Sequence, residues 1–309
     1  MLTSVVKIIL PILLTFMCGI ICKKIQLFDK TGCQTLKDIV SKIMLPVVLV
    51  DAFMFADYSL RTLSIIITLF VATTAVFFLG YLVKGFIPDR AKYMPFLFST
   101  LECGTLGYPL IAMLFGQEGT SNMALIDVGH TVFLFMIAVP LLQATDGNTP
   151  NAKDILKRAI FSPTFDAMLI GIVLGIAGVD EWLASSSAFE IYTSVVDFIT
   201  APTGVLILLT LGFDITFEKE LMKPVLFTSL SRIVTMAVFC AGSIFVISKF
   251  YKMDTAMLYS LILAFSLPAS YGIPMFAKFE GHKEYVSATI SFSTLLTLSI
   301  FVIISVMVM

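Results

Sequence analysis

Long apolar runs alternate with short polar segments along the whole chain. About 20 apolar residues are needed to cross roughly 30 Å of hydrocarbon as a helix. Ten windows approach or meet this length, and the sixth is the shortest. They cover residues 5–22, 38–55, 62–83, 94–116, 121–143, 164–179, 190–213, 225–248, 255–277 and 285–308. The pattern predicts an all-α polytopic membrane protein with ten transmembrane helices, here called spans 1 to 10.

The longest polar connector runs from Asp146 to Arg158, close to the middle of the chain. It separates spans 1–5 (residues 1–143) from spans 6–10 (residues 164–309), with a central loop at residues 144–163. Because each half has an odd number of spans, the second half enters the membrane from the opposite side. The sequence therefore predicts a five-plus-five inverted repeat, in which Pro46 of span 2 corresponds to Pro202 of span 7.

Lysine and arginine in the loops predict the orientation, because cytoplasmic loops carry the excess of them. Loops after even-numbered spans hold only Arg61, Lys249 and Lys252. Loops after odd-numbered spans hold Lys23, Lys24, Lys30, Lys37, Lys84, Arg90, Lys92, Lys153, Lys157, Arg158, Lys219, Lys223, Lys278 and Lys283. The odd-numbered loops, including the central loop, are therefore predicted to be cytoplasmic, and both termini to lie outside the cell membrane.

Spans 4 and 9 are both interrupted near their middle. A break at membrane depth exposes backbone groups that hydrocarbon cannot satisfy, so it survives where it faces protein or a watery cavity. Glycine and proline also occur in membrane helices as plain kinks. A pair of breaks in corresponding positions of two halves favours a transporter site instead. The predicted substrate-binding residues are Glu102, Cys103, Gly104, Gly107, Tyr108 and Pro109 in span 4, and Pro268, Ser270, Tyr271, Gly272 and Pro274 in span 9.

Proline fits the first turn of a helix, so Pro109 and Pro274 are predicted to begin the second halves of spans 4 and 9. Each second half then points its N-terminus at the place where the spans cross. The free N–H groups and the partial positive charge of a helix N-terminus suit a carboxylate. The first halves end in free carbonyl groups, which suit a cation or a hydroxyl group.

Ionisable side chains at membrane depth are costly and are functional candidates by default. Glu102 in span 4 and Asp51 in span 2 are predicted to carry protons, because burial disfavours a charged carboxylate. Asp127 and His130 lie three residues apart on one face of span 5, either as a hydrogen-bonded structural pair or as a proton relay. Arg232 in span 8 needs a partner, which the sequence leaves open.

The composition supports a membrane protein and excludes several other classes. Of the 309 residues 58% are hydrophobic and 13% are charged, whereas charged residues make up about 25% of a soluble domain. The net charge of −1 gives no field for nucleic acid. The five cysteines have no metal or redox spacing, so no cofactor is expected. The chain lacks His-Glu-x-x-His and Gly-x-Gly-Asp, and Ser270 lies in no Gly-x-Ser-x-Gly frame, which argues against an intramembrane enzyme.

Several motifs resemble the auxin efflux carriers, the PIN-type proteins of plants and their bacterial and fungal relatives. Residues 267–278 (LPASYGIPMFAK) are similar to the Leu-Pro, Pro and Phe-Ala-Lys pattern of the family's ninth span. Residues 107–110 (GYPL) are similar to its fourth-span Gly-Ile/Leu-Pro-Leu. Residues 162–163 (SP), residues 211–212 (LG) and Arg232 resemble features of spans 6, 7 and 8. The resemblance covers essentially the whole chain.

This resemblance implies a secondary active transporter with a sodium/proton-antiporter or bile-acid-transporter-like fold, in which spans 4 and 9 cross. Spans 1, 2, 6 and 7 would form a scaffold, and spans 3–5 and 8–10 a moving transport domain. The implied substrates are small organic anions, namely indole acetate in plant members and malonate- or malate-like dicarboxylates in some bacterial ones. The expected partners are the lipid bilayer, a proton or sodium as coupling ion, and a second copy of the chain in a homodimer.

Glu102 departs from the family pattern, because the plant carriers have asparagine at the aligned position. An acid there repels an anion unless it is protonated, so this departure indicates proton coupling at Glu102 or a different substrate. A cation (sodium)/proton antiporter on the same architecture is the alternative, served by Glu102, Asp51 and Asp127. Against it, the chain has no adjacent Asp-Asp pair in a span. A receptor or channel is a third reading, from which substrate exchange in vesicles would distinguish a carrier.

Overall fold

The computed structural model describes residues 2–56, 60–86, 92–145, 163–215, 219–250, 252–271, 273 and 281–308. Over these residues the chain is helical and has no β-strand, which confirms the all-α class. The α-helices are α1 Leu2–Lys24, α2 Lys30–Ile39, α3 Leu45–Met54, α4 Leu60–Val83, α5 Met94–Ser99, α6 Tyr108–Phe133, α7 Val139–Thr145, α8 Pro163–Ile176, α9 Val179–Ala184, α10 Ala188–Thr200, α11 Thr203–Asp214, α12 Met222–Ile247, α13 Thr255–Ser266 and α14 Lys283–Val308.

Shorter helical pieces continue or connect these helices. Three π-helical segments are Val40–Met44 between α2 and α3, Cys103–Gly107 before α6, and Leu134–Ala138 between α6 and α7. Lys84–Phe86 and Lys219–Leu221 are 3₁₀ turns. A π turn is wider than an α turn and is often found at functional sites.

The helices are long and apolar enough for a multi-pass membrane protein. Within the part of the chain that the structure describes, five stretches meet the length and hydropathy of a membrane span: Leu63–Phe86, Met94–Thr145, Ala188–Asp214, Met222–Ile247 and Lys283–Val308. Asp166–Ile176 and Thr255–Ser266 are shorter apolar helices. Large apolar side chains such as Leu82, Met136 and Phe198 lie exposed on the outside. An apolar surface of this extent is suited to lipid rather than to water.

A first helix group consists of α1–α3 and α8–α11. Within it α1 packs along α11, and α3 packs along α8. Glycine allows the backbones to touch at both places. A Cβ on Gly212 of α11 would lie 2.0 Å from the carbonyl oxygen of Phe16, and a Cβ on Gly171 of α8 would lie 2.8 Å from that of Val50. Close approach at small residues is a common way for membrane helices to associate.

A second helix group consists of α4–α7 and α12–α14. Here α4 packs against α5, α6 and α12, while α13 packs against α6, α12 and α14. The ring of Phe77 contacts those of Phe96 and Phe133, with centroid separations of 5.2 and 5.9 Å. His130 of α6 and Arg232 of α12 are buried inside this group. The predicted functional residues of spans 4, 5 and 8 therefore share one packed unit.

Helical hydrogen bonding stops in the middle of spans 4 and 9. α5 ends at Ser99 and α13 at Ser266, and the residues that follow, Thr100 and Leu267, are extended (ψ 149° in both). Pro109 lies in the first turn of α6, but it does not begin the second half of span 4, because helical backbone already resumes at Cys103 in the preceding π segment. Proline lacks an N–H and its ring displaces the carbonyl group one turn earlier, and the wide π turn before Tyr108 accommodates both effects.

Two further features connect the spans. Pro46 lies in the first turn of α3, which continues the π segment Val40–Met44 without a break, and Pro202 is the N-cap residue of α11. Spans 4 and 5 are joined without a loop at Gly116, where φ is 55° and ψ is −137°. Only glycine adopts such a conformation readily. Gly272 and Pro274, the proline predicted to begin the second half of span 9, lie outside the described residues.

Candidate functional site

The interruptions of spans 4 and 9 lie in direct contact. The amide N–H of Glu102 donates to the carbonyl oxygen of Pro268 at 3.0 Å. The amide of Ser270 donates to Oγ1 of Thr100 at 3.3 Å. Backbone groups freed by the two breaks are thus satisfied across the contact, one pair directly and one through a side-chain hydroxyl, as groups at membrane depth must be.

The carboxylate of Glu102 is held by three donors. Its Oε1 accepts from the amide and the hydroxyl of Thr105 at 3.0 and 2.7 Å, and its Oε2 accepts from the amide of Tyr271 at 2.5 Å. Glu102 caps the helical segment that begins at Cys103, where free N–H groups and the helix dipole favour a negative charge. Glu102 is 6% exposed. The donors at this contact therefore form a carboxylate site, which Glu102 occupies.

Arg232 is bound by the opposite ends of the broken helices. Its Nη1 donates to the carbonyl oxygens of Leu97, at 2.7 Å, and Phe98, and its Nη2 donates to those of Thr100 and Leu267 at 2.9 and 2.6 Å. These groups terminate α5 and α13, where the helix dipole is negative. The partner of Arg232, which the sequence leaves open, is thus a set of backbone carbonyl groups.

Asp127 and His130 pair beside the interruption of span 4. His130 Nδ1 lies 3.4 Å from Asp127 Oδ1, and His130 Nε2 accepts from the amide of Leu101 at 3.0 Å. Tyr108 donates its hydroxyl to Asp127 Oδ2 at 3.3 Å. Because Nε2 acts as an acceptor, the hydrogen-bond network assigns the ring proton to Nδ1, which faces Asp127.

The same pair lies close to Cys103. Ligand atoms of Cys103, Asp127 and His130 are all within 4.8 Å of one another. A metal bound at Nδ1 would require a proton on Nε2, opposite the amide N–H of Leu101 that now donates to it. This arrangement fits a hydrogen-bonded cluster that supports the break better than it fits a metal site.

A cavity of about 1270 Å³ opens between the two helix groups and reaches this contact. Seven of the predicted site residues line it: Glu102, Cys103, Gly104, Asp127, His130, Ser270 and Tyr271. Apolar side chains of the first helix group form another part of the wall, including Phe16, Leu49, Phe53, Ile207 and Phe213. The volume suits a small organic molecule.

A cluster of charges lies at the cavity where α1 and α11 end. It contains four lysines and two aspartates: Lys23, Lys30, Lys37, Lys42, Asp38 and Asp214. Lys37 pairs with Asp214, and Lys42 with Asp38 at 2.6 Å. The excess of lysines makes this end of the cavity positive, and we call it the basic mouth.

The other predicted residues that the structure describes lie away from the cavity wall. Asp51 accepts a hydrogen bond from the hydroxyl of Tyr192 on α10 at 3.0 Å, so the structure does not bring it together with Glu102. A Cβ on Gly107 would lie 3.0 Å from Leu267 Cδ1, which indicates a packing role. Tyr108 and Pro109 lie in the first turn of α6. Pro268 contributes its carbonyl group, while Gly272 and Pro274 are outside the described residues.

Sequence reasoning missed several residues of this site. Thr105 was not a candidate, although an acid three residues before it is typical of a helix cap. From the sequence, the lysines of the basic mouth predict only the orientation of the chain in the membrane and not a place at the cavity. The three π segments all contribute to the cavity wall, at residues 40–42, 103–105 and 134–135. The amino-acid composition does not predict where a π turn forms.

Comparison with known proteins gives one informative similarity. The chain is 22% identical over 298 residues to a protein of Methanothermobacter thermautotrophicus named "Uncharacterized transporter". The aligned region covers 94% of this chain and 94% of that protein. No protein-family model matches the chain. Together with the membrane-span helices, this similarity supports a membrane transporter.

Proposed function

We propose that this protein is a secondary active transporter of the auxin efflux carrier type, which moves a small organic anion across the cell membrane. The substrate site lies at the contact between the breaks of spans 4 and 9. The observation that carries this proposal is the carboxylate site itself: the amides of Thr105 and Tyr271, with the Thr105 hydroxyl, already hold a carboxylate. A substrate carboxylate has the same geometry and the same acceptor atoms.

Replacement of the Glu102 carboxylate by the carboxylate of the substrate gives a mechanism for proton-coupled transport. A proton that reaches Glu102 through the cavity converts its carboxylate to a neutral acid, which binds these donors less strongly. The freed amides of Thr105 and Tyr271 then accept the carboxylate of the substrate. Release of the substrate returns the donors to Glu102 and the proton to the solution. One proton thus moves with each monoanion.

The basic mouth supports an anionic substrate. Lys30 lines the cavity and is exposed, and the lysines there outnumber the aspartates. A cleft lined by positive charge raises the local concentration of anions and their rate of entry. If the predicted orientation holds, this mouth opens to the cytoplasm, because Lys23, Lys30 and Lys37 belong to the loop after span 1.

The packing supports a five-plus-five inverted repeat. In such a repeat span 1 corresponds to span 6, and span 2 to span 7. The contact of α1 (span 1) with α11 (span 7) then corresponds to the contact of α8 (span 6) with α3 (span 2). Both contacts are present, and each is made at a glycine. In this scheme the first helix group is the scaffold, the second is the transport domain, and displacement of the second group moves the substrate site.

The experiment is uptake of labelled malonate, malate and indole acetate into proteoliposomes, each with and without an inward proton gradient. Saturable uptake of one anion that a proton gradient stimulates is the expected result. Empty liposomes and liposomes containing heat-inactivated protein are the controls. Absence of any saturable anion uptake would contradict the proposed function.

A cation/proton antiporter is the second candidate, and a specific observation favours it. Glu102 and Asp127 are two acids on one cavity, and Asp127 lies next to Cys103 and His130. An inward sodium gradient that drives proton efflux from the same proteoliposomes, without anion uptake, would establish this function instead.

A further inference from the structure

The two broken helices present their carbonyl ends to one point. The carbonyl oxygens of Leu97, Phe98 and Thr100 come from the end of α5, and that of Leu267 from the end of α13. Such oxygens lack partners within their own helices and carry the negative end of the helix dipole. An oxygen cage of this kind binds hard cations, and in carriers with broken helices it coordinates sodium.

In this protein the cage is filled by a side chain. Arg232 donates to all four oxygens and is 2% exposed. Among the described residues no carboxylate lies within ion-pair distance of its guanidinium group. A buried guanidinium without a carboxylate is costly unless its donors are satisfied. The carbonyl groups of the two breaks therefore provide its stabilisation.

We propose that Arg232 is a tethered cation, which takes the place of a dissociable metal ion at the contact of the two breaks. The protein then requires no sodium at this position. The inference that no coupling metal ion binds here rests on the proposed transport function. The inference that Arg232 fills a cation site does not depend on that function.

Arg232 also positions the carboxylate site. Two of its acceptors, the carbonyl groups of Thr100 and Leu267, directly flank Leu101–Glu102 and Pro268 in the chain. The hydrogen bond from Glu102 to Pro268 lies between these anchored segments. Arg232 is therefore a positioning residue that acts through the backbone of both breaks.

The first test measures the thermal unfolding midpoint (Tm) of the purified full-length protein in detergent. Sodium chloride is compared with choline chloride at equal ionic strength, because the methyl groups of choline keep carbonyl oxygens from coordinating its charge. The unmodified protein is expected to keep the same Tm, within about 1 °C, since a ligand stabilises only a site that is vacant. A saturable rise of Tm with sodium that persists in Asp127→Asn, in which the other candidate cation site is removed, would overturn the proposal.

The second test vacates the cage with Arg232→Ala. We expect Tm to fall by roughly 5–10 °C, because four buried carbonyl groups lose their donors. About 10 mM methylguanidinium should then recover roughly 3 °C, and sodium should raise Tm relative to choline. The matched control is Leu261→Ala, which makes a cavity at a buried apolar residue of α13 and should respond to neither cation.

The other possible results with the Arg232 variants also test the proposal. An Arg232→Ala protein that responds to neither cation would overturn the proposal, because it would show that the cage is not a cation site. Should this variant fail to fold, Arg232→Lys retains the charge and is expected to fold with a lower Tm and no response to sodium. A sodium response of Arg232→Lys would contradict the proposal. Both tests are independent of uptake, so failure to transport any anion would reject the proposed function and leave this result intact.

Discussion

The amide of Glu102 donates a 3.0 Å hydrogen bond to the carbonyl oxygen of Pro268, and this bond joins the two interrupted helices directly. Neither group has a partner within its own helix, because each lies beyond a helix end. The carboxylate of Glu102 also accepts from the amide of Tyr271. One residue thus connects span 4 to span 9 through both its backbone and its side chain, and it is the first position to substitute.

Glu102→Gln tests whether this residue carries the proton. Glutamine has the same size and its carbonyl oxygen can still accept from an amide, but it does not titrate. We expect uptake of the anion to persist and to become independent of the proton gradient and of pH. The measurement is proteoliposome uptake over a series of pH values. Glu118→Gln, at an exposed position after Gly116, is the matched control and should keep the pH dependence. Unchanged proton stimulation in Glu102→Gln would exclude proton coupling at this residue.

Gly212→Ala tests the close contact of α1 with α11. The added Cβ would lie 2.0 Å from the Phe16 carbonyl oxygen, so the two helices must separate. We expect a loss of about 2 kcal/mol, seen as a drop of several degrees in Tm. Gly242→Ala is the control, because its Cβ would meet nothing within 4 Å. Alanine there should be neutral or stabilise by about 0.5–1 kcal/mol. Equal midpoints for the two variants would contradict the described packing.

Lys30→Glu tests the role of the basic mouth. The substitution reverses a charge that lines the cavity, so we expect kcat/KM for the anion to fall about three-fold or more at low salt. The difference should shrink at high ionic strength, because salt screens the interaction. Lys252→Glu, between α12 and α13 and outside the cavity wall, is the control and should transport normally. A salt-independent loss for Lys30→Glu would point to altered folding rather than to steering.

Single cysteines test the predicted orientation. Lys24→Cys and Lys252→Cys are placed at exposed positions in a background without the native cysteines. From the distribution of basic residues we expect a membrane-impermeant maleimide to label intact cells only at position 252. Permeabilised cells should label at both positions, which is the control for reactivity. Labelling of position 24 in intact cells would reverse the orientation and place the basic mouth outside.

The sequence predicts the helices and the places where they stop, because hydropathy and the positions of glycine and proline are local properties. α5 ends at Ser99 and α13 at Ser266, just before Glu102 and Pro268, where the sequence predicts the breaks of spans 4 and 9 to start. It does not predict the helical restart at Cys103. That restart depends on the cap that Glu102 makes with Thr105, which is a local signal, and on the wide π turn before Tyr108, which the composition does not predict.

The hydrogen-bond partners of the charged residues cannot be predicted from the neighbouring sequence. Glu102 and Tyr271 are 169 positions apart in the chain, and Arg232 and Leu97 are 135 apart. Arg232 could be identified as a buried charge, but a search for carboxylate partners could not find backbone carbonyl groups. For Asp51 the sequence predicts the same role as for Glu102, because both are acids within a span. In the structure, however, Asp51 accepts a hydrogen bond from Tyr192 and does not line the cavity.

The opposite charges of Arg232 and Glu102 have a consequence for the response to membrane voltage. Moving one elementary charge through 100 mV requires about 2.3 kcal/mol. When the site is empty, the guanidinium and the carboxylate of Glu102 sum to zero. When a monoanion replaces the carboxylate and Glu102 is protonated, the sum is again zero. Under the proposed exchange these groups therefore cross the membrane field without electrical work in either direction, and the substrate and proton gradients alone set the direction of transport.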